Sequence, residues 1–444
     1  MNTLHYADSY TKIEGWAVAM YTSGILPYDI GIVTYNWKFV MHLHENIDSA
    51  ILDDAVQEAS TRYPYFLKRL VKEGESYEIV DNDLPLIVYD NTESLRPLNH
   101  ESNNYHLISV AYSGRAIHFT ISHMLAGGCG HVEWVRTVLY LYLSKKHDVE
   151  LHVDGIWLPG DEIPEAERHF LTWDGLEVAN DGTGLNIESV REAENGKLAV
   201  LDYALGIAFP KLTKKVYYRF EFPLKEFMQK ARSVEASPSV LLAGLMFMAL
   251  RNVWPDRKND IQAMITHNYR SEVGLPQTTC DLVRYIHAKY PEELEDATLD
   301  KVCTITRGQV ILQSDKAFAL RDGAHVLNRI DMVDALPTLK EKKKYCQRNG
   351  LFGPTVTDSY QVSYLGKTEW GEMAPYIEAG DVVTEGHLML EVLSVDDRFY
   401  ATLQQEVGKQ KYKDAFTETL DAEGIAYHIT GPFDKAIPPF VLPE

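Results

Sequence analysis

The sequence predicts an α/β (α+β) fold arranged as two lobes. Three observations carry that expectation. The chain has 444 residues, more than one hydrophobic core ordinarily organises, so at least two lobes are expected. Each half contains a pair of alternating apolar runs around a short turn, followed by an amphipathic helical pattern. Between the halves, from Asp154 to Leu201, periodicity fades while acidic residues and glycines accumulate, the composition of a crossover linker. The expected division is residues 1–190, an N-terminal lobe ending in the linker, and residues 191–444, a C-terminal lobe.

In chain order, Phe39 to His44 alternates as a strand. Ile51, Leu52, Ala55, Val56 and Ala59 then form one helical stripe that Pro64 ends. Phe66–Val71 and Tyr77–Val80 flank a Glu-Gly-Glu turn and predict a hairpin, and Pro85–Val88 predicts a further extended piece. His106–Tyr112 and Ala116–Ser122, around Ser113-Gly114-Arg115, predict a second hairpin. After the glycines at 127 and 128, Val132, Val135, Val138, Leu139, Tyr142 and Leu143 mark an amphipathic helix. In the second half Tyr218, Phe220 and Phe222 alternate, Ser237-Pro238 opens an apolar helix, and Ile261–His267 reads as a strand. Leu388–Val395 and Phe399–Gln405 flank Asp396-Asp397-Arg398 as a hairpin. A helix with Tyr412, Ala415, Phe416 and Leu420 follows and ends at Gly424.

Composition narrows the function class. Apolar residues make up 45% and charged residues 24%, which suits a packed core rather than a disordered chain. The formal net charge of −21 disfavours nucleic acid and anionic membranes as partners. The longest apolar stretch, Val240–Leu250, is too short to span a bilayer and reads as a buried core helix. Met1–Trp16 lacks the basic start and apolar run of a secretory signal. Cys129, Cys280, Cys303 and Cys346 show no C-x-x-C spacing, so neither a disulfide framework nor a zinc site is expected, and the protein reads as cytoplasmic. The basic clusters Lys211, Lys214, Lys215 and Lys342–Lys344 read as solvated faces.

The candidate chemistry centres on His123. Ile117, Phe119 and Ile121 share the inward face of a strand, and His123 follows on that same face before the chain turns into a helix. A histidine taken at random from the sixteen in this chain is most often structural. Its place at a strand end before a glycine turn singles this one out.

Ile121-Ser-His-Met-Leu-Ala-Gly-Gly128 resembles the H-H-x-x-x-D-G signature of the coenzyme-A-dependent acyltransferase superfamily. That superfamily includes chloramphenicol acetyltransferases, alcohol acetyltransferases, wax ester synthases and peptide-synthetase condensation domains. Other stretches follow in the family's order. Tyr63-Pro64 is similar to its R-H-P segment and Ser237–Leu250 to its S-x-x-x-x-L-x-A-A helix. His267-Asn-Tyr-Arg270 with Gly274-Leu275-Pro276 is similar to its N-x-R segment, and Ser363-Tyr364-Leu365-Gly366 to its S-N-x-G stretch. Together they cover nearly the whole chain. The resemblance implies two chloramphenicol-acetyltransferase-like lobes, each a mixed sheet flanked by helices, with an active-site tunnel between them. It makes His123 the catalytic base, with Ser122 in place of the first motif histidine and Gly128 as the motif glycine, expected to free the backbone for a tight turn. The motif aspartate is missing: its position is Gly127. In the family that carboxylate is mainly structural and pairs with an arginine of the other half, here Arg270. Glu133, Glu272 and Asp281 are the alternative acceptors near in sequence, and Gly127→Asp is expected to raise stability or rate if Arg270 is unpaired.

Acyl transfer needs a base for the acceptor and an acid for the leaving thiolate, and an imidazole with a pKa of about 6.5 serves both. Ser363, Tyr364 or the Gly127-Gly128 amides are oxyanion donor candidates, and Trp370 and Gly371 are expected to shape the tunnel. Cys129 at a helix start suggests a Cys-His hydrolase as a competing reading, although a buried thiol is commoner. His42 and His44 share a strand face but lack further ligands for a metal, and they read as surface or tunnel-rim residues. The expected function is transfer of an acyl group from acyl-CoA, or from an acyl or peptidyl carrier-protein thioester, to a hydroxyl or amine of a small acceptor, with no tightly bound cofactor. The alternatives are a non-catalytic ligand- or carrier-binding homologue and a condensation-type enzyme that forms amides.

Overall fold

The computed structural model describes residues 27–28, 36–92, 94–169, 215–255, 260–349, 359–384, 388–405 and 409–444. The N-terminal segment 1–16, Lys211 and Lys214, the linker beyond residue 169 and the boundary at 190 lie outside them. The strands are β1 (Asn36–Leu43), β2 (Lys68–Glu73), β3 (Ser76–Asp81), β4 (Val88–Asp90), β5 (Ile108–Ser113), β6 (Ala116–Ser122), β7 (Val216–Pro223), β8 (Ile261–Asn268), β9 (Val283–Tyr290), β10 (Tyr360–Tyr364), β11 (Ile377–Thr384), β12 (Leu388–Val395), β13 (Arg398–Gln405) and β14 (His428–Asp434). The helices are α1 (Ser49–Ser60), α2 (Gly128–His147), α3 (Leu224–Ser233), α4 (Pro238–Val253), α5 (Leu299–Gln313), α6 (Lys316–Asp334), α7 (Leu339–Asn349) and α8 (Gln410–Ala422).

Two sheets organise two cores. The first runs β11-β1-β6-β5-β4 and the second β14-β7-β13-β12-β10-β8-β9, while β2 and β3 form a separate hairpin. Both sheets are mixed: β4 pairs parallel with β5, and β10 pairs parallel with β12 and β8, amid otherwise antiparallel ladders. One core gathers residues from β1, β5, β6, α1 and α2 with parts of α6, and the other gathers β7, β8, β12, β13, α4 and α8. The lobes in space do not coincide with the halves of the sequence. β11, from the second half, pairs antiparallel with β1 along Trp37–Leu43 and completes the first sheet.

Local sequence explains the elements around the site. Ile117, Phe119 and Ile121 on β6 are wholly buried, each contributing about 1.5–3 kcal/mol of hydrophobic stabilisation. Asp48 caps α1, its Oδ1 accepting from the amides of Ala50 and Ile51. Ser237 caps α4 by accepting from Val240 N, with Pro238 at the first helical position. α4 is buried along most of its length and packs on α8, α5, β8 and β10. No single described helix is long and apolar enough to cross a membrane. Lys342 is not on a solvated face: it is buried and its Nζ donates to Ser76 Oγ at 2.7 Å. Its aliphatic stem gains from apolar contact while the ammonium keeps a partner.

Candidate active site

His123 stands where β6 gives way to α2, at the contact between the two lobes. β6 ends at Ser122, wholly buried, whose Oγ accepts from Met124 N at 3.3 Å. The chain then reaches Gly127, the N-cap of α2. Trp37, at the start of β1, stacks on the His123 ring with centroids 5.4 Å apart and planes 7° from parallel. Its indole Nε1 donates to His131 Nδ1 at 3.2 Å. That contact fixes the face against which the imidazole lies.

The second lobe supplies the other wall. Asp281, two residues before β9, places Oδ2 3.9 Å from His123 Nδ1. Nδ1 is enclosed and without a hydrogen bond, yet the His123 side chain as a whole keeps 31% of its surface accessible. The accessible part therefore belongs to the remainder of the ring. Burial lowers the His123 pKa below its ordinary value, opposed by the charge of Asp281 and by the Ala126 backbone. Burial raises that of Asp281, opposed by His123 and Arg270. His131, held wholly inside, is pushed well below the usual imidazole range by burial, with His123 and Arg270 adding to the effect.

Among the described residues Arg270 pairs with no carboxylate of the kind the resemblance implied. Its Nη2 donates to the carbonyls of Cys280 at 2.7 Å and Thr279 at 3.4 Å. The carboxylates near in sequence are engaged elsewhere: Glu133 with Arg136 at 2.6 Å and Glu272 with His267 at 3.2 Å. Gly128 is a glycine because of crowding rather than conformation. A Cβ there would lie 2.5 Å from Trp37 and 2.6 Å from Leu365. Gly127 has an ordinary extended backbone, φ −82° and ψ 174°, but a Cβ on it would lie 2.6 Å from Asp281 Oδ1 and 3.1 Å from Asp281 Cα. Adding an aspartate at 127 would thus force a collision, which reverses the expectation for Gly127→Asp.

The other sequence candidates are dispersed. Ser363 and Tyr364 end β10, and no hydrogen bond joins either to His123 among the described residues. Tyr364 packs at 5.3 Å against the Phe399 ring of the second core. Trp370 is 98% buried and donates to Ser394 O at 2.7 Å, a core anchor rather than a wall residue. Gly371 adopts φ 52°, and a Cβ there would meet His152 O at 2.5 Å. Cys129 is half-buried, with Sγ 3.7 Å from Leu365 O and 3.8 Å from Asn268 Nδ2. Among the described residues no contact pairs it with a histidine, so no Cys-His arrangement is formed there. No group of three or more His, Cys, Asp or Glu among the described residues is placed to hold a metal. His42 is half-buried, its Nε2 3.0 Å from Asp381 and 2.6 Å from Arg219, whereas His44 is exposed.

Trp37 and Asp281's approach to His123 were not foreseen from sequence. The strand pattern was read from Phe39, and extending the alternation two residues back puts Trp37 on the inward face with Phe39 and Met41.

Glu391 is a second buried acid on the strand beside Ser363. Its Oε2 is enclosed without a partner. Burial pushes its pKa up to about 8, opposed by Ser363, Thr384 and Lys435. The group stays protonated in the fold while its unfolded counterpart ionises. Its contribution is thus intact below the unfolded value of 4.5 and is lost as pH rises toward about 8. The slope reaches about 1.4 kcal/mol per pH unit. Glu391→Gln should be more stable than wild type at pH 8 and match it near pH 4.5 in urea titrations, and parallel stability curves for the two proteins would count against this assignment.

Two mixed sheets with their helices form two lobes, β11 of the second half completes the first sheet, and His123 stands where the lobes meet. No protein-family model and no curated protein sequence matches the chain. Solved structures do. F. graminearum TRI101 complexed with coenzyme A and T-2 mycotoxin aligns with a TM-score of 0.58 at 11% identity, over 91% of this chain and 98% of that one. Polyketide synthase associated protein 5 from Mycobacterium tuberculosis aligns with a TM-score of 0.55 at 11% identity, over 91% and 97%. The first condensation domain of the CDA synthetase aligns with a TM-score of 0.54 at 9% identity, over 95% and 97%. At such identity the likeness establishes the fold, and chemistry has to be argued from the site.

Proposed function

We propose that the protein is an acyltransferase. It moves an acyl group from acyl-CoA, or from a carrier-protein thioester, to the hydroxyl or amine of a small acceptor, in a channel between the lobes. The observation that carries this reading is His123 itself: an imidazole at the lobe junction, one nitrogen enclosed toward a carboxylate and the rest of the ring accessible. Burial favours its neutral form, which is the form a general base needs at neutral pH.

In the proposed reaction His123 takes the acceptor proton through Nε2 as the acceptor attacks the thioester carbonyl. The tetrahedral intermediate collapses, the C–S bond breaks, and the imidazolium returns the proton to the departing thiolate. Protons balance and no redox or metal step is involved. The backbone amides of Gly127 and Gly128, at the start of α2, are the donors we assign to the oxyanion, whereas the Gly130 amide is already engaged by Gly127 O at 3.0 Å. Ser363 and Tyr364 are kept as wall candidates on β10. The likeness to a structure holding coenzyme A supports the free thioester as donor, and the likeness to a condensation domain supports a carrier-bound one. The four free cysteines, three of them buried, support a reducing, cytoplasmic setting.

The test is release of free thiol from a panel of acyl-CoA donors and small hydroxyl and amine acceptors, run beside the same acyl groups on a loaded carrier protein. Turnover that disappears in His123→Ala supports the assignment. Equal turnover in wild type and variant refutes it, and absence of turnover with every donor favours a binding protein that retains only the fold.

A further inference from the structure

The missing motif carboxylate has a replacement, and it comes from the other lobe. We propose that Asp281 is the positioning residue of His123, occupying the volume that Gly127 leaves open and holding the imidazole through Nδ1. The proposal rests on the reading of His123 as a general base.

Four observations support it. Nothing in the backbone demands glycine at 127, because its extended φ and ψ suit any residue. What excludes a side chain there is Asp281, whose Oδ1, Cα and Cγ would lie 2.6, 3.1 and 3.2 Å from a Cβ. The carboxylate thus stands where a side chain on residue 127 would begin. Its Oδ2 is 3.9 Å from His123 Nδ1, and Nδ1 is enclosed with no hydrogen bond. That separation is longer than a formed hydrogen bond, and such contacts in unliganded sites shorten when substrate binds.

The segment carrying Asp281 is fastened on every side. Arg270 clamps the carbonyls of Thr279 and Cys280. Thr279 donates to Glu167 O through its amide at 2.8 Å and its hydroxyl at 2.9 Å, and Thr278 Oγ1 donates to His169 O at 2.5 Å. Glu167 is itself fixed in a buried pair with Arg62, at 3.0 and 2.6 Å, and by the Tyr65 hydroxyl at 3.1 Å. Gly130 permits the approach: a Cβ there would lie 2.2 Å from Thr279 O. Arg270 thereby acts on the same carboxylate position by a different route, setting the backbone from which Asp281 projects instead of pairing with an acid on the histidine loop.

An Nδ1–H directed at Asp281 leaves the Nε2 lone pair facing the acceptor and stabilises the imidazolium formed when the acceptor proton arrives. In this role Asp281 acts as the acceptor and takes no proton from the ring, and the positive charges of Arg270 and the imidazolium favour its ionised form. The charged and titratable groups that interact with this pair are Arg270, His131 and the Cys280 thiol, whose burial keeps it neutral, so none of them is anionic.

The experiment uses the full chain and two readouts. In NMR titrations of the imidazole Cε1–H signals, His123 should titrate lower in Asp281→Asn than in wild type, because the opposing charge is gone while the volume is kept. An unchanged or higher titration overturns the proposal whether or not the protein transfers acyl groups. In thiol-release kinetics Asp281→Asn should lower kcat by on the order of 10²-fold with KM little changed, and an unchanged kcat overturns it. Gly127→Asp alone should lower the thermal midpoint, and the Gly127→Asp, Asp281→Gly double variant should recover it. A Gly127→Asp protein as stable as wild type contradicts the shared-volume argument. If no variant and no wild-type sample releases thiol, the acyltransferase reading fails while the titration still reports on the pair.

Discussion

The His123→Ala variant should release thiol from acyl-CoA about 10²- to 10⁴-fold more slowly than wild type, the range that positioned acid–base groups contribute. Loss of the base removes proton transfer in both directions, so kcat falls with kcat/KM. The fold should survive, because the His123 side chain is partly accessible and makes no hydrogen bond that the core depends on. Matching circular dichroism spectra and thermal midpoints would verify this. The acid limb of the kcat/KM profile also has a fixed direction. Burial places the imidazole below its usual value of about 6.5, and the base works deprotonated, so activity should climb through a pH below that value and be level at neutrality. A limb centred above it would conflict with the enclosed Nδ1 and its lowered pKa.

Asp381→Ala should destabilise the protein by about 3–5 kcal/mol, the usual cost of removing one partner from a buried ion pair. This is a large share of the ~5–15 kcal/mol that holds a typical domain folded. Asp381, on β11, is wholly enclosed. It accepts from Arg219 Nε and Nη2 and, at 3.1 Å, from the Tyr217 hydroxyl, with His42 at 3.0 Å. Arg219 and Tyr217 belong to β7 of the second sheet, whereas His42 and Asp381 belong to β1 and β11 of the first. The cluster is thus a charged clamp between the lobes, and Lys38 beside it, its pKa lowered to about 8 by burial, donates to Ala436 O at 2.8 Å. Burial alone would raise the Asp381 pKa, but Arg219 and His42 hold it at about 2. Because the folded value is depressed, the clamp contributes fully above the unfolded value of 3.8 and is lost as pH falls toward about 2. Urea titration at pH 7 measures the loss. A change under about 1 kcal/mol would mean that the pair is as weak as an exposed one, and replacement of both partners by apolar residues should recover most of the stability.

The elements nearest the site were legible from local patterning. The strand–turn–helix passage from Ala116 to Leu143 and the Ser237 cap were readable because alternation, helical spacing and capping depend only on neighbouring residues. The expected tight glycine turn at Gly128 was not borne out, since the restriction there comes from Trp37 and Leu365 packing across it. Lys342, one of three consecutive lysines, looked solvated for the same kind of reason: its burial depends on Ser76 and Tyr28, far away in the chain.

What the sequence by itself determined is the local geometry of a histidine on the inward end of a strand, two lobes' worth of core, and the order of motifs that resembles one superfamily. Tertiary structure alone decided which groups meet that histidine. Asp281, Trp37 and the β11 strand arrive from distant positions, and nothing in residue spacing encodes a contact made only when two sheets and their loops have packed. The physical reason is that periodicity reports which face a side chain takes, while the partner on that face is chosen by shape, burial and charge once the chain has folded.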